Sequence, residues 1–166
     1  KIYLGLTSIY PLIKRDANRS AKRIPPLNES KIFEMDYAII PINESQHWML
    51  CVVCFPADPE KRMLMLFDSL DANQRRCVKV FKKIREYLTL RYLEECKDKP
   101  PVKFTGKNMK GANCKVPLQS NYCDCGVFLL HYADLFIQDP PKFEDLPFCN
   151  ANWFDVREIA LKRRRL

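Results

Sequence analysis

The chain has 166 residues, 47% of them hydrophobic and 29% charged, and carries a formal net charge of +8. That length and apolar content describe one soluble globular domain with a core of its own. No apolar run reaches the about 18–20 residues of a membrane span, and no secretory signal opens the chain.

Residues 3–13 read as a helix interrupted at Pro11, and 14–30, polar and carrying Pro25 and Pro26, as a loop. A strand is expected at 37–42, a turn at 43–46, and a strand at 48–55. This last segment is a continuous apolar run, as in a strand buried on both faces. After a turn at 56–62 comes a third strand at 63–67, completing a short β-meander. A long helix follows at 73–93, where Val80, Ile84, Tyr87, Leu88 and Arg91 fall at steps of three and four. Residues 101–104 are expected as a further strand and 105–119 as a loop. Residues 126–138 form a helix apolar nearly all round, hence central and buried, stopped at Asp139-Pro140-Pro141. The last helix is expected at 152–161. This order of elements is α+β.

In a chain this long the eight cysteines are not required as disulfide staples. Cys51, Cys54 and Cys149 stand in apolar runs, where a free thiol acts as a small hydrophobe. The usage is that of a reducing compartment, cytosol or nucleus. Cys51 and Cys54, three apart on one strand, face opposite sides and cannot chelate one ion. His131, inside the apolar helix, reads as a packing residue. Part of the charge excess is local: KRRRL closes the chain, and residues 14–23 hold five basic side chains against Asp16. These read as a solvated surface and basic tail, with an acidic protein partner, or a nuclear-localisation role for 162–165, as the sharper alternatives. No basic stripe interleaved with aromatics is present, so nucleic acid is not expected as the main ligand.

One run carries chemistry: QSNYCDCGVFLLHY, residues 119–132. Cys125 stands at the expected N-terminus of the apolar helix, where unpaired N–H groups and the helix dipole favour a thiolate. Its own N–H would point toward a developing oxyanion, and Gly126 would let a substrate backbone approach. His47 stands at the edge of the second strand and Asp68 at the end of the third. If those strands are neighbours, the carboxylate can orient the imidazole. Gln119 can offer its amide to the oxyanion. Taken singly, each has a blander reading: a helix-end cysteine, a packed histidine, a turn carboxylate, a loop glutamine. Cys123, two residues from Cys125, would disable the nucleophile if the two oxidised together.

The order HW, then FDS, then QSNxxDCG resembles the catalytic core of the SUMO/sentrin-specific proteases, the Ulp-type cysteine peptidases. It is most similar to the branch that edits poly-SUMO chains. The resemblance runs through HWMLCVVCFP (47–56), LMLFDSL (64–70), FKKIREYL (81–88), NMKGANCKVPLQSNYCDCGVF (108–128) and NANWF (150–154). It implies a papain-like core in which a buried helix carries the nucleophile against a small mixed or antiparallel sheet. Cys125 would be the nucleophile, His47 the base, Asp68 its orienting group and Gln119 an oxyanion donor. Trp48 would roof a narrow tunnel for the Gly-Gly tail of SUMO, with Gly126 beside it, and Asp124 would be structural. The implied activity is cleavage after that tail, without metal or cofactor, by a monomeric nuclear protein whose partners are SUMO and its conjugates. A peptidase for another ubiquitin-like tail and a catalytically weak SUMO-binding module are the alternatives. The chain, 1–166, reads as one catalytic domain without the family's initial helix-rich segment. RIPPLNES (23–30) stands where relatives carry a second tryptophan, and only residues 57–62 separate the first two motifs, where the editing branch carries a long insertion.

Overall fold

The computed structural model describes residues 1–5, 7, 10–11, 13, 31–71 and 73–165. Five strands form one mixed sheet in the order β1 (Ile2–Leu4), β2 (Tyr37–Glu44), β3 (His47–Cys54), β4 (Met63–Phe67) and β5 (Lys110–Cys114). The expected meander is its centre. β2 and β3 pair antiparallel from Tyr37↔Cys54 to Glu44↔His47, and β3 and β4 from Leu50↔Phe67 to Cys54↔Met63. β1 and β5 flank it in parallel.

Both faces of the meander are buried, as the unbroken apolar run of β3 requires. Met49, Cys51 and Val53 point into one core with Ala38, Ile40, Leu64 and Leu66, and helix α1 (Gln74–Glu95) covers that side. Leu50, Val52 and Cys54 point the other way with Ile39, Met65 and Phe67, beneath helix α2 (Cys125–Gln138). The period-two alternation of a strand thus divides one sequence run between two helices. Cys51 and Cys54 fall into the two different cores, as their spacing predicts. Burial pushes the Cys51 thiol up to about 12 and raises those of Cys54 and Cys114 further, so these thiols stay protonated and unreactive.

α1 starts where Asn73 caps it, accepting from the Arg76 N–H at 3.0 Å. All five residues of the expected stripe, Val80 to Arg91, are buried, joined by Cys77, Phe81 and Tyr92. Each fully buried aliphatic among them contributes about 1.5–3 kcal/mol relative to exposure. α1 lies close over β5: a Cβ built on Gly111 would meet the Phe81 ring at 2.6–2.8 Å. Gly111→Ala is therefore expected to destabilise the fold by about 1–3 kcal/mol, read as a lower urea midpoint at unchanged slope.

Several expectations are corrected. Residues 2–4 are a strand, not helix, because β2 offers them a parallel partner at Tyr37 to Ile39; Tyr10 and Ile13 are helical as expected, and Pro11, expected to interrupt the helix, is helical too. Residues 101–104 are not a strand. Phe104 instead drives its ring into the core against Phe33 and Tyr92, while its N–H donates to the Thr89 hydroxyl at 3.0 Å. The added strand is β5, within the stretch expected as loop. α2 packs on the sheet but is not buried all round: Leu130 and Ile137 are exposed, because helix α3 (Arg157–Arg163) covers only part of its outer face through Ile159. That last helix starts at Arg157 rather than 152, since Trp153 and Phe154 turn inward onto Tyr132 and Phe67. The loop at 14–30, with the position of the absent second tryptophan, lies outside the described residues.

Candidate active site

Three element ends meet at this site. β2 and β3 are joined by the two-residue turn Ser45-Gln46, at φ 54° and 62°. Both lie in the left-handed region that such hairpin turns require and that glycine or asparagine fills with least strain. The turn starts β3 on His47. β4 delivers Asp68 immediately after its last residue. Because the two strands are antiparallel neighbours, the start of one lies beside the end of the other. His47 Nε2 stands 2.6 Å from Asp68 Oδ1, with both residues buried. The same carboxylate oxygen accepts the Leu70 N–H at 2.8 Å. Asp68 Oδ2 has no hydrogen-bond partner, and the Arg76 guanidinium lies 3.8 Å from it. With Nε2–H directed at a carboxylate, the imidazole presents a lone pair at Nδ1.

α2 begins at Cys125, as expected to within one residue. Asp124 provides the N-cap position without a side-chain cap, so the first-turn N–H groups, including those of Cys125 and Gly126, have no carbonyl one turn back to bond. Their dipoles favour negative charge at this end. A cavity of about 530 Å³ is lined by Cys125, Gly126, Trp48, Gln46, Cys123 and Tyr122, among others. Trp48 lies over Gly126: a Cβ there would sit 3.5 Å from indole Cδ1, in ordinary contact.

The loop before α2 is held by side chains. Gln119 is buried, its carboxamide oxygen accepting the Ser69 hydroxyl at 2.5 Å and its Nε2 donating to the Asn121 carbonyl at 2.5 Å. One of its two amide protons is thus committed, and the second remains to offer. Asn121 Oδ1 accepts the backbone N–H groups of Cys123 and Asp124, at 2.9 and 3.0 Å, while its Nδ2 donates to Asp124 Oδ2 at 2.7 Å. Asp124 also pairs with Arg163 of α3 at 2.5 Å. Asp124 is structural, as expected. The basic tail is partly committed to structure, since Lys162 pairs with Asp134 at 2.8 Å. Sequence reasoning missed Ser69, Asn121 and Arg163. Asn121 alone was legible, since an asparagine followed three residues on by a helix start is an Asx-turn signature.

The structure therefore joins His47 to Asp68, links Asp68 through neighbouring Ser69 to Gln119, and sets Cys125, Gly126 and Trp48 around one cavity. His131 lies apart, buried deeper in α2. Neither ring nitrogen has a hydrogen-bond partner, the ring stands edge-on to Phe154 at 4.3 Å, and Glu158 Oε2 is 3.6 Å from Nε2. Burial first, then the Lys162 charge, holds its pKa below the ordinary histidine value, against the opposing carboxylates of Glu158 and Asp134. A histidine with a depressed folded-state pKa binds its proton more readily when unfolded. Its contribution to stability is present above about pH 6.5, the ordinary histidine value, and is lost as pH falls toward the folded value. His131→Gln is expected to flatten the decline in urea midpoint between pH 7 and pH 5.

All eight cysteines are free. Among the described residues, no cluster of histidine, cysteine and carboxylate could hold a metal ion, and no helix is long and apolar enough to cross a membrane.

The family model for the Ulp1 protease family, C-terminal catalytic domain, matches residues 8–163. The chain is 34% identical over 153 residues to a probable ubiquitin-like-specific protease 2A of Arabidopsis thaliana, spanning 81% of this chain and 19% of that protein. It is 29% identical to sentrin-specific protease 7 of Rattus norvegicus, over 79% of this chain and 19% of the relative. It thus spans about a fifth of the length of these curated relatives. A solved de-sumoylating protease superposes with a TM-score of 0.76 at 23% identity, covering 99% of this chain and 67% of the other, which shows the papain-like α+β fold. A buried histidine held by a carboxylate, whose chain neighbours Gln46 and Trp48 line a cavity together with a helix-initiating cysteine, on this fold and with this sequence match, places the chain in the Ulp1 protease family as a C-terminal catalytic domain.

Proposed function

We propose that this domain is a thiol isopeptidase that cleaves after the C-terminal Gly-Gly of SUMO, deconjugating SUMO and trimming poly-SUMO chains. The single observation that carries the reading is the buried His47–Asp68 pair at 2.6 Å in a chain of this family whose Cys125 initiates α2. The names of its relatives, sentrin-specific and ubiquitin-like-specific proteases, support the substrate class, as does the de-sumoylating protease of like fold.

His47 takes the Cys125 proton at Nδ1, and Sγ attacks the carbonyl carbon of the second glycine. The oxyanion forms facing the Cys125 N–H and the free amide proton of Gln119. His47, kept in one tautomer and supported as imidazolium by Asp68, gives its proton to the departing lysine amine. A water deprotonated by His47 then attacks the thioester, releasing the SUMO carboxylate and restoring the thiol. Trp48 over Gly126 forms the slot through which only a tail without Cβ atoms passes beside the nucleophile. The domain acts as a monomer and in the nucleus, with no metal or cofactor taking part in the chemistry.

The test is an isopeptide-linked SUMO dimer incubated with the protein. Conversion to monomers by the parent, none by Cys125→Ala, and no cleavage of a ubiquitin dimer is the expected result. Cleavage of ubiquitin but not SUMO would reassign the substrate, and equal activity in Cys125→Ala would overturn the mechanism.

A further inference from the structure

The second cavity, also about 530 Å³, lies across the sheet from α2, between α1 and the edge strand β5. Its lining includes Cys77, Val78, Phe81, Lys110 and Asn113. Val78 is 59% exposed, an apolar side chain left open on an otherwise charged helix face.

The charge around it is arranged against the stability of the fold. α1 opens with Arg75 and Arg76 and has no acidic residue in its first turn, although a helix N-terminus favours anions. Arg75, Lys79 and Lys82 repeat at four and three residues on the exposed face of α1 next to Val78, outside the cavity lining itself, a spacing at which like charges repel. Lys110 lines the cavity on the β5 side, and Lys103 and Lys107 are exposed in the loop that leads to β5. None of these six has a carboxylate in ion-pair range among the described residues, whereas Lys83, one turn away, is paired with Glu86 at 2.9 Å. A chain shaped for stability alone would alternate these signs. An anionic ligand lying over Val78, between this face of α1 and Lys110, would meet these charges.

We propose that the groove between α1 and β5 binds an extended, acidic segment of a protein partner. Its alternate carboxylates would lie along Arg75, Lys79 and Lys82 with Lys110 opposite, and an intervening apolar side chain would rest on Val78. The dimensions agree. Cations one helical turn apart are about 5–6 Å apart along α1, and same-side residues of an extended chain recur at about 6.5–7 Å. β5 is an edge strand with no further strand beside it among the described residues, so a strand-like ligand has a sheet edge to run along. A nucleic-acid strand fits less well: the one aromatic ring in the lining, Phe81, is buried against Gly111 and Arg85 and offers no face for a base to stack on.

The test is fluorescence anisotropy on the full chain with three labelled probes. These are a ten-residue peptide alternating glutamate and valine, the same peptide with glutamine for glutamate, and a ten-nucleotide single strand. The glutamate peptide is expected to bind at least tenfold more tightly than the other two. Raising salt from 50 to 300 mM is expected to weaken it at least tenfold, as screening of exposed charges requires. R75E/K79E/K110E should abolish the binding, and the milder K79Q/K110Q should weaken it. Labelling of Cys125 by a SUMO carrying a C-terminal electrophile serves as the control that both variants are folded and is expected to be unchanged. Equal binding of the glutamate and glutamine peptides, an unaffected triple variant that labels normally, or tighter binding of the oligonucleotide would each overturn the proposal.

Discussion

Asp68→Asn is expected to lower kcat on a SUMO substrate by about 10³–10⁴, the scale on which a serine-protease triad responds to the same exchange. Asparagine keeps the size of the side chain and leaves one oxygen to accept from the Leu70 N–H, now at 2.8 Å, so the fold should persist. What disappears is the charge 2.6 Å from His47 Nε2. The imidazolium that must form during attack is then unsupported in a buried site, and an amide N–H can hold the ring in the wrong tautomer. Because the carboxylate does not touch the substrate, KM should move by only a few fold. Steady-state kinetics with a fluorogenic SUMO tail separates the two constants. A loss below tenfold, with the variant folded, would mean that His47 does not depend on Asp68.

Gly126→Ala is expected to be nearly silent in stability and severe in activity, lowering kcat/KM by about 10² or more. The new methyl would lie 3.5 Å from Trp48 Cδ1, an ordinary contact that needs no rearrangement. It would, however, occupy the space beneath the indole in which the tail is proposed to lie, and displacement of a scissile bond by about 1 Å costs on the order of 10². Reactivity of Cys125 toward a small alkylating agent should be unchanged, because such an agent needs no slot. A variant with normal kcat/KM would remove Trp48 and Gly126 from substrate passage.

The parts of the fold legible in the sequence were those whose signal is local. The apolar run of β3 announced a strand with two buried faces, and the stripe from Val80 to Arg91 announced α1. β5 was not legible, because KGANC has no strand composition; it is a strand because β4 offers a parallel edge and because Gly111 lets Phe81 lie over it. β1 depends likewise on a partner thirty-five residues away, at Ile2↔Tyr37. Phe104, in a short segment with Val102, reads as strand until its ring is seen filling a core position between Phe33 and Tyr92. At the site, residue types and order pointed to His47, Asp68, Gln119 and Cys125, since each carries its chemistry in its side chain. The supports did not stand out: Ser69 and Arg163 matter through partners 50 and 39 residues away, which no local pattern encodes.

The most direct measurement is mass spectrometry of the protein after reaction with SUMO bearing a C-terminal electrophile, beside ubiquitin bearing the same group. The account predicts a single covalent adduct with SUMO, mapped to Cys125, absent in Cys125→Ala and not formed with ubiquitin. An adduct on Cys123 or Cys149, the two exposed cysteines, or no adduct on a folded chain that still binds SUMO, would contradict it.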